Sequence, residues 1–256
     1  MYGRNRYQPG GGIPGATPMV QRIIVANSVI WLVQMAMLQV GAPLTELGAV
    51  SVDGFFNHFR IWQPFTYMWL HEPSALPLHV FFNMLFLWMI GPQVEMVWGS
   101  RRFLRFYVIC GVGAGFAILG WNALASTWNP YVALTPTVGA SGAVYGVVTA
   151  FSLLWPDRTL MMLFPPMPIR AIWFVPFLFL LQLVIGGGGS NVSHIGHLGG
   201  ALVGAFLMRE ELRRVIGWRS LRHRWHRMRM RNRLRAVRRE ELERRRSSDD
   251  DRRTYH

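Results

Sequence analysis

The 256-residue chain contains no lysine, so all 27 of its basic residues are arginines. Most of these lie beyond Met208, and the net charge of +14 therefore belongs mainly to a tail rather than to a folded nucleic-acid-binding domain. A single cysteine, Cys110, excludes an intrachain disulfide, and its apolar neighbours mark it as a buried, inert thiol. No cleavable secretory signal is visible, because the N-terminus is polar and rich in Gly and Pro and the first apolar run lacks a small-residue cleavage site. Internal repeats and broken helical segments are lacking too, which counts against a transporter. What the chain has in quantity is hydrophobic residues, 51% of the total with 11 tryptophans, and for this length that composition indicates a membrane protein.

The pattern predicts an all-α, polytopic bundle of six transmembrane helices. Residues 1–20 read as a flexible leader, 21–208 as the membrane domain and 209–256 as an Arg-rich cytoplasmic tail. The expected spans are Ile23–Val40, Pro77 to about Val97, Phe103–Leu124, Val138–Trp155, about Ile169 to Ile185, and Val192–Met208. Between the first two runs a long connection carrying Phe55, Phe56, Phe59, Trp62, Phe65, Tyr67 and Trp69. It is too apolar for a simple linker and too interrupted to span, so it reads as an interfacial element. Arginine placement sets the orientation: with both termini cytoplasmic, only Arg60 falls outside, whereas the opposite topology strands nearly every positive charge. The cytoplasmic membrane of a bacterium is the expected location.

Polar groups within apolar spans carry the chemistry. Gly139-Ala140-Ser141-Gly142-Ala143-Val144-Tyr145-Gly146 is a small-residue run with one hydroxyl at the start of the fourth span. Ser193-His194-Ile195-Gly196-His197-Leu198-Gly199-Gly200, followed by Gly204, opens the sixth. An intramembrane ionisable group is a functional candidate by default. Glycine-lined helices approach closely enough for the Ser141 hydroxyl to meet the His197 imidazole as nucleophile and base. His79 and Asn83, spaced i, i+4 on the second span, share a helix face and can aim N–H groups at a developing oxyanion. The Ser141 amide, near a helix N-terminus, is a third donor, and Tyr145 lies one turn on, where it can stack on His197. In the predicted topology, His79, Asn83, Ser141 and His197 fall at one depth near the outer ends of their spans. No carboxylate appears at that depth, which leaves a dyad rather than a triad.

Plainer alternatives stand beside this. Small residues and a serine also serve close helix packing, and His79 with Asn83 could be polar glue between helices. His194 competes with His197 as base but lies closer to the outer loop. His71, His79, His194 and His197 could ligate a metal, although no Cys or carboxylate joins them and the serine is then unexplained; the hydrolytic reading needs no cofactor. The tail, with Leu212, Trp218, Trp225 and Leu234 at near-helical spacing among arginines, is either an amphipathic helix on anionic lipid or a solvated anchor. Nucleic acid is a distant third partner for it.

These residues resemble the rhomboid family of intramembrane serine proteases. Gly139-Ala140-Ser141-Gly142 with Tyr145 and Gly146 is similar to its GxSGxxYG nucleophile motif, His197-Leu198-Gly199-Gly200 with Gly204 to its HxxGxxxG motif, and His79-Val80-Phe81-Phe82-Asn83 to its HxxxN motif. Gly91-Pro92-Gln93-Val94-Glu95 with Trp98-Gly99-Ser100 resembles the end of its second helix, where the Glu is structural. The similarity runs from about Trp62 to Met208. It implies cleavage of transmembrane protein substrates in the lipid bilayer, with Ser141 as nucleophile, His197 as base, His79 and Asn83 as oxyanion donors, and Tyr145, Gly139 and Gly142 in support. It also implies a gate at the fifth helix and a lid after it, here Gly186-Gly187-Gly188-Gly189-Ser190, whose composition predicts high mobility. Two departures stand out: Trp62-Gln63 replaces the family's frequent Trp-Arg, and the His71–His79 gap is longer than usual, with Pro73 and Pro77 inside it. A catalytically silent relative that binds or escorts membrane helices is the rival, and such proteins generally lack the Ser or the His.

Overall fold

The computed structural model describes residues 15–42, 44–73, 77–161, 167–185 and 194–215. The glycine-rich lid, the leader before residue 15 and the tail beyond 215 lie outside them. The chain divides into two units, Met1–Arg209 and Glu210–His256.

In chain order the helices are α1 (Pro18–Gln39), the short α2 (Leu44–Gly48) and α3 (Gln63–Thr66), then α4 (Leu78–Trp98), α5 (Ser100–Ala125), the short α6 (Tyr131–Leu134), α7 (Ser141–Leu154), α8 (Ala171–Ile185), α9 (His194–Leu207) and α10 (Arg209–Val215). Two three-residue strands, β1 (Thr159–Met161) and β2 (Pro168–Arg170), pair antiparallel between α7 and α8, with Leu160 opposite Ile169. Three helices, α1, α4 and α5, are long and apolar enough to cross a membrane; three shorter apolar ones are Ser141–Leu154, Ala171–Leu181 and His194–Leu207.

Local chemistry sets the boundaries. Pro18 opens α1, where its fixed φ suits the first turn and its missing N–H costs nothing. Gly99, at φ 76°, ends α4 and starts α5 at once. The fourth apolar run is helical only from Ser141, not from Val138, because Gly139 holds φ 134°, which no helix accommodates. The fifth likewise begins at Ala171, since Ile169 and Arg170 are held in β2. At fourteen residues α7 is about 21 Å long against a hydrocarbon core of about 30 Å. It is also the most enclosed helix: every residue from Gly142 to Leu153 is buried, and α4, α5, α8 and α9 all pack on it. Thr149 and Ser152 in its interior donate their hydroxyls to the carbonyls of Tyr145 and Val148, four residues back, at 2.8 Å each.

The residues between α1 and α4 form short helical turns that bury Tyr67 and Met68 and expose Phe56, Phe59, Ile61, Trp62 and Phe65. Gln63 is fully buried, and its Oε1 accepts the Ser51 N–H at 3.3 Å. A Cβ on Gly54 would sit 2.5 Å from Gln63 Nε2, so the missing side chain of Gly54 leaves the space this amide occupies. Trp62 donates its indole N–H to Leu47 O at 3.0 Å.

One carboxylate ties the far end of the bundle. Glu95, buried on α4, accepts the Thr17 hydroxyl and the backbone N–H groups of Met19 (3.0 Å) and Val20 (2.9 Å), together with the Ser100 hydroxyl (2.5 Å). It thus supplies to α1 the N-terminal cap, and the negative charge at the positive helix end, that Thr17 itself does not. Glu95→Ala strands several buried donors and is expected to cost about 3 kcal/mol. Thermal unfolding in detergent checks this, and an unchanged midpoint would count against the capping role.

Candidate functional site

Glycines bring α7 and α9 into backbone contact. A Cβ on Gly200 would lie 1.9 Å from Gly142 O, and one on Gly204 would lie 3.1 Å from Gly146 Cα. On its other side α7 meets α5, where a Cβ on Gly142 or Gly146 would come within 2.5 Å of Ala114 Cβ or Cys110 Cβ respectively. Cys110 is thus a buried free thiol packed on a glycine.

This approach lays the His197 imidazole flat on the Tyr145 ring, with centroids 4.5 Å apart and planes 12° from parallel. Phe179 of α8 packs on the same tyrosine at 5.2 Å. His197 is 4% exposed, whereas His194, one turn earlier, is half-buried. Ser141 is the first residue of α7 and half-buried. The opening amides of a helix have no intrahelical acceptor, so those of Ser141 and Gly142 are directed out of the helix start.

From the other side comes His79. A Cβ on Gly139 would be 2.9 Å from His79 Nε2 and 3.7 Å from Ser141 Oγ, so the imidazole and the hydroxyl flank one glycine. His79 Nδ1 accepts the Glu72 N–H at 3.4 Å, which leaves the ring proton on Nε2, the atom facing Gly139. Asn83, also buried, donates through Nδ2 to the His79 carbonyl at 2.8 Å, which leaves its second N–H for another acceptor. The structure therefore gathers His79, Gly139 and Ser141 at one point, and Tyr145 and His197 one turn along α7.

Several supports have no local signature in the sequence. Tyr67 O accepts the Gly139 N–H at 3.0 Å, and its hydroxyl donates to Gly111 O at 2.7 Å. Val50 and Thr137 exchange two backbone bonds of 2.9 Å, fixing the strand that leads into Ser141. His71 packs edge-to-face on His79 at 5.2 Å, while Gln34 of α1 clamps the His71 backbone: Oε1 accepts its N–H (2.9 Å) and Nε2 donates to its carbonyl (3.0 Å). Burial first, then the neighbouring His79, push the His71 imidazole down to about 3, so it is neutral at physiological pH. Among the described residues no three His, Cys, Asp or Glu side chains cluster as a metal ion requires.

A buried helical bundle with membrane-length apolar helices, and a hydroxyl and imidazoles in its interior, defines an integral membrane protein with the makings of a hydrolytic site. The rhomboid family model, a rhomboid domain, matches residues 58–213, more than half of the chain, and the chain belongs to the rhomboid family. It is 32% identical over 146 residues to Rhomboid protease GluP of Bacillus subtilis (strain 168), covering 57% of this chain and 25% of that protein. It is 29% identical over 208 residues to Rhomboid protease AarA of Providencia stuartii, covering 75% and 72%. Rhomboid protein 1, mitochondrial, of Saccharomyces cerevisiae (strain ATCC 204508 / S288c) is 31% identical over 135 residues, covering 49% and 36%. The matched stretch is thus a quarter of the first relative and nearly three quarters of the second.

The backbone contact gives a clean test. Gly200→Ala places a methyl into Gly142 O and is expected to cost about 3 kcal/mol or more. Gly120→Ala, on α5 with nothing within 4 Å of the new Cβ, should leave the thermal midpoint level or slightly higher. Equal midpoints for the two variants would contradict the close approach.

Proposed function

We propose that this chain is an intramembrane serine endopeptidase that cleaves peptide bonds in or near transmembrane segments of other proteins with a Ser141–His197 dyad. The observation that supports it most is the gathering of Ser141, Gly139 and His79 beside the stacked Tyr145–His197 pair. The curated relatives named as rhomboid proteases support the same class.

In this account the six apolar helices α1, α4, α5, α7, α8 and α9 all lie in the bilayer, both termini are cytoplasmic, and residues 21–208 form the catalytic domain. The relatives include mitochondrial and chloroplast proteins, and the bacterial cytoplasmic membrane is the location proposed here. A substrate helix comes in laterally near α8 and unwinds at small or helix-breaking residues, because a helical carbonyl is already hydrogen-bonded and shielded. Ser141 Oγ attacks that carbonyl as its proton passes to the His197 imidazole. His79 Nε2–H, an Asn83 N–H and the Ser141 amide hold the oxyanion; each such donor is worth about 3 kcal/mol of barrier. The C–N bond then breaks, His197 protonates the leaving amine, and water from the outer side, deprotonated by His197, hydrolyses the acyl-enzyme. The neutral, buried His71 holds the His79 ring in place without adding charge. The Arg-rich tail, which begins with α10, contacts anionic lipid; α10 carries Glu210 and Glu211 in its first turn and Arg213 and Arg214 in its last, matching the helix dipole.

Purified protein in detergent, given a model transmembrane substrate, is expected to cleave it, while Ser141→Ala and His197→Ala each fall by at least about a thousandfold. Equal cleavage by all three would remove the protease and favour a silent helix-binding relative. A fluorophosphonate probe should label Ser141 in wild type and in His194→Ala but not in His197→Ala. If unwinding limits the reaction, replacing a Gly near the cut in the substrate by Leu slows cleavage; an unchanged rate argues against that step.

A further inference from the structure

Backbone N–H and C=O groups outside regular structure must find other partners, and those of His71 and Glu72, just ahead of α4, find all four in side chains. The His71 N–H donates to Gln34 Oε1 at 2.9 Å, and the His71 carbonyl accepts from Gln34 Nε2 at 3.0 Å. The Glu72 carbonyl accepts the Trp31 indole N–H at 3.3 Å. The Glu72 N–H donates to His79 Nδ1 at 3.4 Å. Three of these bonds come from one face of α1, where Trp31 and Gln34 are spaced i, i+3. The fourth goes to the imidazole that flanks Ser141 across Gly139. We infer that Trp31 and Gln34 are positioning residues for His79: holding residues 71 and 72 from α1, they aim the Glu72 N–H at Nδ1 and so keep the ring proton on Nε2.

The proton's place decides what His79 can do. A neutral imidazole has one N–H and one lone pair, and the partner found by one nitrogen fixes the role of the other. With a donor at Nδ1, Nε2 carries the hydrogen and can hold a developing oxyanion. In the other tautomer Nε2 would turn a lone pair toward that negative oxygen and repel it, even with the ring unmoved. The His71 ring, edge-to-face on His79 at 5.2 Å, limits how the imidazole tilts. The choice between its nitrogens falls to the bond at Nδ1.

Gln34 is built to hold one orientation. It is buried, and its Nε2 donates a second time, to Thr45 Oγ1 at 3.0 Å, so both amide hydrogens and the oxygen are engaged. Flipping the amide would set Nε2 against the His71 N–H and Oε1 against the His71 carbonyl, which loses every one of these bonds. The Glu72 side chain is exposed, and the bond to His79 comes from its backbone alone. The catalytic consequence rests on the proposed function; the tautomer itself does not.

The test is nitrogen NMR of the full-length protein in detergent, labelled with nitrogen-15 at histidine and held at alkaline pH, where imidazoles are neutral. The His79 signals are assigned by their loss in His79→Gln. Wild type is expected to show a bare Nδ1 and a protonated Nε2. Gln34→Leu, and to a lesser degree Trp31→Phe, should add a second form with the proton on Nδ1, whereas Glu72→Ala, which keeps the backbone N–H, should match wild type. A role confined to fastening α1 would lower the thermal midpoint of Gln34→Leu and leave the tautomer alone. That result, or a proton on Nδ1 in wild type, overturns the inference. Should Gln34→Leu fail to fold, Trp31→Phe, which removes one N–H from a half-buried ring, decides alone. For the consequence, fluorophosphonate labelling of Ser141 should slow about tenfold in Gln34→Leu and less in Trp31→Phe, with kcat on a transmembrane substrate falling and KM holding. Wild-type rates in both variants overturn the link to catalysis. Absence of labelling in wild type counts against the protease, while the His79 tautomer still decides the positioning.

Discussion

The backbone of Gly142 against that of Gly200 is the contact on which the rest depends. With any side chain at position 200 the helices α7 and α9 separate, since even a methyl carbon there would sit 1.9 Å from a carbonyl oxygen. Repeated one turn on by Gly146 and Gly204, the contact lets His197 lie on Tyr145 at stacking distance instead of a side chain's width away. Inside a bilayer there is little hydrophobic drive between helices, so close packing of small residues does what water exclusion does in a soluble core. The same glycines that hold the bundle together therefore set the spacing of its polar groups.

Around this pair the structure is braced from outside α7. The connection between α1 and α4 reaches in through Tyr67, whose carbonyl holds Gly139, and through the Val50–Thr137 bridge. Gln34 and Glu95 fasten α1 at two levels, one to the His71 backbone and the other at its own first turn. In both cases a buried polar side chain serves backbone groups that a local cap would otherwise satisfy. Hydrogen bonds from Gln34 and to Glu95 thus fasten a helix whose outer face leaves Val25, Val29, Leu32 and Leu38 exposed.

Much of this was legible in the sequence. Six apolar runs predicted six membrane spans, where the structure shows three helices long and apolar enough to cross a membrane and three shorter apolar ones, and the small-residue runs around Ser141 and His197 pointed to where two of these meet. The spacing of His79 and Asn83 put both on one helix face, and three ordered motifs carried the family resemblance. The boundaries were less legible: Val138 and Ile169 are apolar enough to extend their helices, and only a positive φ at Gly139 and a strand pairing at Ile169 exclude them. The donors to Glu95 and the clamp of Gln34 on His71 join residues 75 and 37 positions apart, for which no periodicity gives a sign. The full burial of Gln63 against Gly54 likewise has no sign in the Trp62-Gln63 pair itself, since the two residues meet only through the fold of the connection.

The central claim is that Ser141 and His197 meet in one interior site. A mechanism-based isocoumarin, which acylates a serine and then unmasks an electrophile for a nearby imidazole, tests it most directly. After treatment of the wild-type protein and digestion, mass spectrometry should find the Ser141 and His197 peptides joined through one inhibitor molecule. A bridge from Ser141 to His79 or His194 instead, or label on Ser141 with no bridge, would contradict it.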